Sequence, residues 1–400
     1  MAEGRDTGDG TVRNDEGSEH NMSSVRPPVI LLSSIRWGWL WQRHQELAVL
    51  FAGAGYPTVF VETTGMANPG LNRASLRKVL DRIMRSRYRG GKPSSREEGL
   101  TIYAPLVAPP TSQIFRWLNR KVFVPRIVRD LHRIAGPDPV VLAYTPTQTT
   151  LDILRDLEPR LTLYDHVDDY VRYPDVPQDM AKTERELLRR VDLVSCTSTA
   201  LLEKVKPIRP DAMLNGPGVK FGAFHALSTA RPDVEINTVC YFGYIGRAEM
   251  DFSILKAVAR AGFTLRLIGD RGKAERDLFA MPGVDYRGEV PHEELPVAFE
   301  GVDAFIIPYR VDELSRNVSP SKTYECLATG KPVVATPLPA MVDLGEHVYL
   351  AESPEEFVKV LRNLPRTETE ERVRARIEVA RRNSWEARFE ELEGALWSKL

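Results

Sequence analysis

The sequence is poor in cysteine: Cys196, Cys240 and Cys326 lie far apart among 400 residues. Such spacing indicates neither a metal knuckle nor a disulfide framework. No apolar run approaches the roughly 18 residues that a membrane-spanning helix needs, and the first residues lack a charged and then apolar leader. The net charge is only −1, which disfavours a dedicated nucleic-acid binder. The composition therefore predicts a cytoplasmic protein with no nucleic-acid partner.

The chain also lacks the Gly-x-Gly-x-x-Gly turn with which dinucleotide-binding dehydrogenases hold a pyrophosphate. After the first predicted strand the sequence reads SSIRWGW, at residues 33–39. After the first predicted strand of the second half, the sequence reads FGYIGR, which contains Gly243, Gly246 and Arg247. These glycines would let a backbone approach a phosphate, with the arginine as a cation. An ordinary tight turn explains the same pattern equally well.

A chain of 400 residues exceeds the usual size of one hydrophobic core and favours two domains. Residues 1–26 contain almost no apolar side chains, which predicts a disordered tail. Apolar strands then alternate with amphipathic helices, a pattern that predicts an α/β fold with two parallel sheets joined near residues 215–232. The strands are predicted at 29–32, 58–62, 140–144, 161–164, 192–196, 238–242, 265–268, 284–287, 305–308, 332–335 and 348–351.

The most informative segment, residues 303–337, predicts a strand, a polar loop, a short helix and a second strand. Ser319 and Ser321 stand at the start of this helix, Lys322 lies in its first turn, and Glu325 follows three residues later. Free amides at a helix start, together with an ammonium, predict an anion site. The carboxylate of Glu325 would accept hydrogen bonds from ribose or sugar hydroxyls. An ordinary strand-helix-strand unit with a solvated glutamate is the plainer alternative.

In this segment the chain resembles the retaining glycosyltransferases of the GT4 type. That family carries a Glu-x7-Glu segment before a strand similar to the Gly-Lys-Pro-Val-Val found here. Its second glutamate matches Glu325, whereas the first falls at Asn317. The resemblance implies the GT-B fold, in which two doubly wound Rossmann-like domains face a central cleft. It implies an acceptor domain at 27–217, a donor domain at 236–382 and a helix at 383–400 that crosses back to the first domain.

The same resemblance implies roles for individual residues. The glycine turn after the first strand of the second set would face the donor diphosphate, and Gly269 would border the pocket for the nucleotide base. Glycines that only form the turns between strands and helices are the alternative explanation. The donor-binding set that follows is Gly243, Gly246, Arg247, Gly269, Asn317, Ser319, Ser321, Lys322 and Glu325.

In the first half, the segment YDHVDDY follows the strand predicted at 161–164, so its acidic side chains are expected at the carboxyl end of a strand. It is similar to a segment of the sugar transferases of teichuronic-acid and capsule assembly. This similarity implies that Asp165 or His166 polarises the acceptor hydroxyl or holds the transferred sugar. We therefore take Asp165, His166 and Glu325 as candidate catalytic residues. A solvated acidic loop is the alternative.

The resemblance implies a hexosyltransferase of polysaccharide biosynthesis. It would move a sugar from a nucleotide-diphosphate sugar to a glycan, lipid-linked or small-molecule acceptor, with retention. No cofactor is expected. No metal site is expected either, because the sequence contains no Asp-x-Asp. Two alternatives stay open: a sugar-nucleotide epimerase with the same fold, and a catalytically silent protein that binds nucleotide sugars or glycans. The second alternative would explain Asn317.

Two stretches of the first half, 71–92 and 114–133, are rich in arginine and lysine with apolar residues interleaved. Basic amphipathic helices of this kind bind anionic lipid surfaces, with about 1 kcal/mol for each basic residue near the surface. The pattern predicts peripheral contact with the inner face of the membrane, which suits a lipid-linked acceptor. A solvated positive face above ordinary core positions is the alternative.

Overall fold

The computed structural model describes most of the chain. Predictions that fall on other residues, including nearly all of the 1–26 tail and the whole of the basic stretch 71–92, lie outside the described residues. The described residues are 26–38, 41–62, 98–108, 112–173, 176–228, 235–246, 250–272, 274–313 and 315–400.

The first sheet has seven strands in the order β3-β2-β1-β4-β5-β6-β7, and every neighbouring pair is parallel. Most of its strands are short and fully buried, because helices cover both faces and leave no solvent-facing side. The strands are β1 Val29–Leu32, β2 Thr58–Val61, β3 Leu100–Tyr103, β4 Val140–Ala143, β5 Leu161–His166, β6 Leu193–Cys196 and β7 Met213–Leu214.

The second sheet has six parallel strands in the order β10-β9-β8-β11-β12-β13. In both sheets the chain winds outward from the first strand and then returns to its other side. The two reversals lie between β1 and β4 and between β8 and β11, where open α/β sheets bind ligands. The strands are β8 Thr238–Phe242, β9 Thr264–Ile268, β10 Val284–Gly288, β11 Ala304–Ile307, β12 Val333–Ala335 and β13 Tyr349–Leu350.

Helices connect the strands on both faces of each sheet. Among the described residues, those of the first half are α1 Arg43–Gly53, α2 Gln113–Leu118, α3 Val124–Ala135, α4 Gln148–Leu157, α5 Met180–Arg190 and α6 Thr199–Val205, with a π-helical turn at Asn119–Phe123 between α2 and α3. Those of the second half are α7 Phe221–His225, α8 Phe252–Arg260, α9 Leu295–Ala298, α10 Lys322–Ala328, α11 Pro339–Val342, α12 Pro354–Thr367, α13 Glu370–Arg382 and α14 Trp385–Trp397.

The cores follow from the alternation of side chains along each strand. In β1, Val29 and Leu31 belong to the cluster under α1, whereas Ile30 and Leu32 belong to the cluster under α3 and α4. The second sheet has one large cluster of its own. Burying one such aliphatic side chain contributes about 1.5–3 kcal/mol, so these clusters supply the main stabilisation of both sheets.

Helix α14 returns to the first sheet and completes its core. Phe389 packs edge-on against Phe51 of α1, with ring centroids 4.9 Å apart. Near the end of α14, Oε1 of Glu393 accepts hydrogen bonds from Tyr56 Oη at 2.6 Å and from Arg26 Nη1 at 2.6 Å. The chain therefore crosses between the sheets twice, once near Val219 and once just before α14.

The predicted fold class, two doubly wound α/β sheets, is confirmed, and most predicted strand ends lie within one residue of the observed ones, but three strands differ more. Strands β3 and β7 are absent from the predicted set. Strand β5 is two residues longer than predicted, so Asp165 and His166 lie inside the strand and not in a loop after it. Both residues lie at the carboxyl end of the strand, as expected, but they are fully buried, so these two side chains do not belong to a solvated acidic loop.

Candidate active site

The candidate donor site lies at the carboxyl edge of the second sheet. Gly243 follows β8 and Gly269 follows β9, with φ angles of +112° and +131°. The N–H of Gly243 donates to the carbonyl of Ile268 at 2.8 Å, and a Cβ on Gly269 would overlap the carbonyl of Gly243. Both positions therefore require glycine, and the two loops are in direct backbone contact. Gly246 lies in the turn after β8, and Arg247 lies outside the described residues.

Lys322 begins α10, and its ammonium is held against the turn after β8. Nζ donates to the carbonyl oxygen of Phe242 at 2.6 Å and to Oη of Tyr241 at 3.0 Å. It also lies 4.3 Å from the centroid of the Tyr241 ring. A Cβ on Gly243 would be only 2.6 Å from Nζ. These contacts fix a positive charge beside a stretch of backbone that carries no side chain.

Glu325 follows Lys322 by three residues on α10, and it pairs with His292. Nε2 of His292 lies 2.6 Å from Oε1 of Glu325. The carboxylate side chain is 12% exposed and the imidazole 30% exposed. The hydrogen bond to Glu325 raises the pKa of His292 above its ordinary value of 6.5, although burial acts in the opposite direction. The pair thus joins an acidic and a basic side chain at the same edge of the sheet.

The loop from β11 to α10 contains the remaining predicted donor residues. Asn317 closes a short 3-10 turn, Ser315–Asn317. Ser319 is half-buried and Ser321 is exposed. Ser321 immediately precedes α10, but its side chain does not cap the helix. The structure thus brings this loop to the edge that carries Lys322 and Glu325.

Asp165, predicted to act on the acceptor, makes a buried ion pair with Arg43. Nε of Arg43 donates to Oδ2 of Asp165 at 2.7 Å, and Nη2 donates to Oδ1 at 3.2 Å. The same guanidinium donates to Asn215 Oδ1 at 2.7 Å and to the carbonyl of Gly216 at 3.1 Å. Both carboxylate oxygens are therefore engaged, and a role as a base would require this ion pair to open.

His166 lies on the other face of β5. Its ring stacks on Tyr164 at 5.1 Å between centroids, and Nε2 is 3.4 Å from Oε1 of Glu184. Lys204 donates to Glu184 Oε2 at 2.9 Å and to Asp169 Oδ1 at 2.7 Å. Burial acts to raise the pKa of Glu184, but His166 and Lys204 lower it overall. The structure thus places His166 in a buried charged network on a different face from Asp165.

A polar cluster that the sequence did not reveal lies at the switch point of the first sheet. Oγ of Ser34, just beyond β1, is 3.0 Å from Nε2 of His44 and accepts from Oη of Tyr170 at 3.0 Å. The ring of His44 lies 4.0 Å from that of Tyr144. Burial, and then the charge of Arg43, lower the pKa of His44 to about 3. The imidazole is therefore neutral at physiological pH.

A second unpredicted contact joins the two halves of the molecule. Nζ of Lys220, just before α7, lies 2.9 Å from Oε1 of Glu46 on α1. It also lies 5.2 Å from the ring centroid of Trp41. Both charges act on His292: Lys220 lowers its pKa and Glu46 raises it. The His292–Glu325 pair therefore lies near a carboxylate of the first half, Glu46, and near the ammonium of Lys220.

Part of the predicted membrane-binding surface is described. On α2, Ile114 is 76% exposed and Trp117 is 61% exposed. Across the described residues, no group of three or more His, Cys, Asp or Glu side chains is arranged to hold a metal ion. No helix in the described part of the chain is both long and apolar enough to cross a membrane.

Sequence comparison relates part of the chain to proteins described as glycosyltransferases. Residues 252–394 match a family model described as glycosyl transferase-like. Over 172 residues the chain is 30% identical to TuaH of Bacillus subtilis (strain 168), whose name assigns it, as putative, to teichuronic acid biosynthesis as a glycosyltransferase. This match covers 39% of the chain and 43% of TuaH. The chain thus spans less than half the length of this curated relative.

Solved structures match almost the whole chain. Sucrose-phosphate synthase from Thermosynechococcus elongatus aligns with a TM-score of 0.66 at 14% identity, over 94% of this chain and 99% of that one. HepE of Anabaena, solved with UDP and glucose, aligns with a TM-score of 0.65 at 13% identity, over 93% and 100% of the two chains. The chain therefore has the GT-B fold, and the predicted resemblance to GT-B glycosyltransferases is confirmed.

Proposed function

We propose that the chain is a glycosyltransferase that moves a sugar from a nucleotide-diphosphate sugar to an acceptor hydroxyl, with retention and without a metal ion. One observation carries the proposal: the Lys322 ammonium is fixed against the Gly243 turn, with Glu325 three residues further along the same helix. A fixed cation beside backbone that carries no side chain can bind the negative charge of a diphosphate. A neighbouring carboxylate suits the hydroxyls of a ribose. The glycosyl transferase-like match at residues 252–394 supports the same conclusion.

The reaction breaks the bond between the sugar C1 and the diphosphate oxygen, and that oxygen keeps the electron pair. Lys322 stabilises the charge that develops on the departing phosphate. The acceptor oxygen bonds to C1 on the face that the phosphate leaves, and the departing phosphate takes the acceptor proton. The reaction then needs no enzyme nucleophile, which agrees with the engagement of Asp165 by Arg43.

UDP-glucose is the first donor to test, because HepE is solved with UDP and glucose. The purified protein is screened for thermal stabilisation by UDP, GDP, CDP and dTDP and their common sugars, in the presence of a chelator. A ligand at 100 times its Kd adds about 2.7 kcal/mol of stability. We expect one nucleotide to raise the melting temperature and Lys322→Ala to abolish that shift.

The matched control is Lys359→Ala, because Lys359 is an exposed lysine on α12. This variant should respond to nucleotides as the wild type does. If none of the four nucleotides shifts the melting temperature, the donor site is refuted. Sugar turnover without any acceptor would indicate an epimerase, and tight binding without any turnover would indicate a silent binding protein. The anomeric configuration of the product, read by NMR, tests retention.

We infer further that the acceptor is lipid-linked and that the protein contacts the inner face of the membrane. Ile114 and Trp117 expose apolar side chains on α2. Basic side chains follow along the π-helical turn and α3, and Arg120, Lys121, Arg126, Arg129 and Arg133 are all exposed. Exposed apolar groups beside basic ones fit the boundary between acyl chains and anionic headgroups.

Sedimentation with phosphatidylcholine vesicles, with and without phosphatidylglycerol, tests this contact. We expect binding only to the anionic vesicles and a loss of binding in Trp117→Ser. Val297 on α9 provides the control, since it is equally exposed, at 66%, but belongs to the second half. Val297→Ser should bind vesicles normally. Equal binding to both kinds of vesicle, or to neither, would contradict the inference.

A further inference from the structure

His292 stands where the second sheet meets the candidate donor site. It opens a short 3-10 turn, His292–Glu294, four residues after the end of β10. From there its ring reaches Glu325 on α10 and packs edge-on against Phe224 of α7, with ring centroids 5.7 Å apart. The imidazole is thus held between two helices while it bonds the carboxylate.

The hydrogen bond leaves half of the carboxylate free. Oε1 of Glu325 is engaged by Nε2 of His292 at 2.6 Å. Among the described residues, no group donates a hydrogen bond to Oε2. A carboxylate with one oxygen held by the protein and one oxygen free has a fixed direction in which it accepts from a ligand.

We propose that His292 is a positioning residue for the nucleotide donor: it orients Glu325 through Oε1 so that Oε2 accepts hydrogen bonds from the ribose hydroxyls. This inference rests on the proposed function, because it requires a ribonucleotide in the donor site. It extends that function to a residue outside α10 and the glycine turns. It also makes donor affinity depend on the protonation state of one side chain.

The dependence on pH follows from the charges around the imidazole. Glu325 on α10 and Glu46 on α1 favour the protonated ring, whereas Lys220 before α7 and the partial burial oppose it. Glu293 and Glu294 follow on the same turn. Lys220 and Glu46 pair with each other at 2.9 Å, so their effects largely cancel and Glu325 dominates. Because its pKa is raised, the ring keeps its charge to a higher pH than an ordinary histidine, and the charge is lost as the pH rises further.

The test is calorimetric titration of UDP, GDP, CDP and dTDP into the full chain between pH 6 and pH 9. For the nucleotide that binds, we expect the affinity of the wild type to fall as the pH rises. His292→Gln keeps a donor to Glu325 but does not titrate, so its affinity should lack the fall with rising pH and should change only through the terminal phosphate of the ligand, whose second pKa is about 6. His292→Ala should bind about tenfold more weakly at pH 6, the loss expected for one hydrogen bond to a charged group.

Ligand variants separate this role from a merely structural one. The 2′,3′-dideoxy form of the same nucleotide lacks both ribose hydroxyls, so its affinity should be equal in the wild type and in His292→Gln at every pH. His225→Gln is the control, because His225 stacks on Phe221 and bonds Ser228. This variant should retain the pH dependence of the wild type. Melting temperatures confirm that each variant is folded.

Two outcomes overturn the inference. If the wild type binds a nucleotide but His292→Gln shows the same pH dependence, His292 does not position Glu325 for the donor, while the proposed function stands. The same conclusion follows if the dideoxy nucleotide shows the full effect of the substitution. If the wild type binds none of the four nucleotides at any pH, the proposed function and this inference fail together.

Discussion

Arg43 and Asp165 form a two-bond ion pair in the interior of the first half, although 122 positions separate them in sequence. The side chains are 7% and 0% exposed. The arginine also bonds Asn215, whose amide donates to the carbonyl of Arg388 on α14 at 3.0 Å. The Arg43 guanidinium therefore links strand β5 to Asn215 and Gly216, which lie before the first crossing between the sheets. Through Asn215 it is also linked to helix α14.

Replacing Arg43 by methionine should destabilise the protein by about 3–5 kcal/mol, because the Asp165 carboxylate would stay buried without a partner. The measurement is urea unfolding at neutral pH. Arg381→Met is the control, since Arg381 is 61% exposed where it pairs with Glu378, and its loss should cost no more than about 1 kcal/mol. An Asp165→Asn variant with wild-type stability and no turnover would contradict the structural role and support the predicted catalytic one.

Gly269→Ala should weaken both folding and nucleotide binding. The residue has a φ of +131°, and a new Cβ would overlap the carbonyl of Gly243. We expect a loss of at least about 2 kcal/mol in unfolding free energy and a smaller thermal shift with the preferred nucleotide. Gly394→Ala on α14 meets nothing within 4 Å and should raise stability by about 0.5–1 kcal/mol. Equal effects of the two substitutions would refute this account of the turn.

The sequence predicted the fold well because both sheets are parallel and buried, so their strands appear as short apolar runs between helices. The missed strands carry weaker signals. Leu100–Tyr103 alternates leucine and isoleucine with threonine and tyrosine, and Met213–Leu214 is only two residues long. A short strand of that kind is defined by its neighbours and not by its own composition.

The candidate site was predictable where it depends on neighbours in sequence. Lys322 and Glu325 share one helix turn, and the glycine turns follow apolar strands. His292 is different, because its partner Glu325 is 33 positions away and the pairing depends on how α10 packs beside the end of β10. The acidic segment after Tyr164 was misjudged because the polar residues Asp165 and His166 continue β5, which the run of apolar side chains does not show.

His44 should make the protein sensitive to acid. Its pKa falls from 6.5 to about 3 on folding, so only the unfolded chain takes up a proton between these values. Above pH 6.5 the neutral imidazole costs the folded protein no stability. As the pH falls from 6.5 towards 3, the free energy of unfolding decreases by up to about 1.4 kcal/mol for each pH unit. Urea midpoints from pH 7.5 to pH 4.5 should therefore fall less steeply in His44→Gln than in the wild type.

The control for this effect is His132→Gln, because His132 is an exposed histidine on α3. Its urea midpoints should follow the wild type across the whole pH range. A difference between the wild type and His44→Gln that does not change with pH would refute the assignment. It would show that the substitution acts through packing against Tyr144 alone.

Gly218 and Trp385 bring the two crossing segments together. The N–H of Val219 donates to the carbonyl of Asn383 at 3.0 Å, and the N–H of Trp385 donates to the carbonyl of Val219 at 3.1 Å. A Cβ on Gly218 would lie 2.5 Å from Cδ2 of the Trp385 ring. The ring therefore packs directly on the glycine backbone, at the place where both chain connections between the sheets run side by side.

Gly218→Ala should accordingly cost about 1–3 kcal/mol, the usual penalty for overpacking. Trp385→Ala removes the clashing ring, so the double variant should be more stable than the sum of the two single losses predicts. Urea unfolding of the four proteins measures this coupling. Gly222→Ala serves as the control because a Cβ there meets nothing within 4 Å. Strictly additive losses would mean that the alanine methyl is accommodated without displacing the ring, and the close packing of the two crossings would then not limit residue size at position 218.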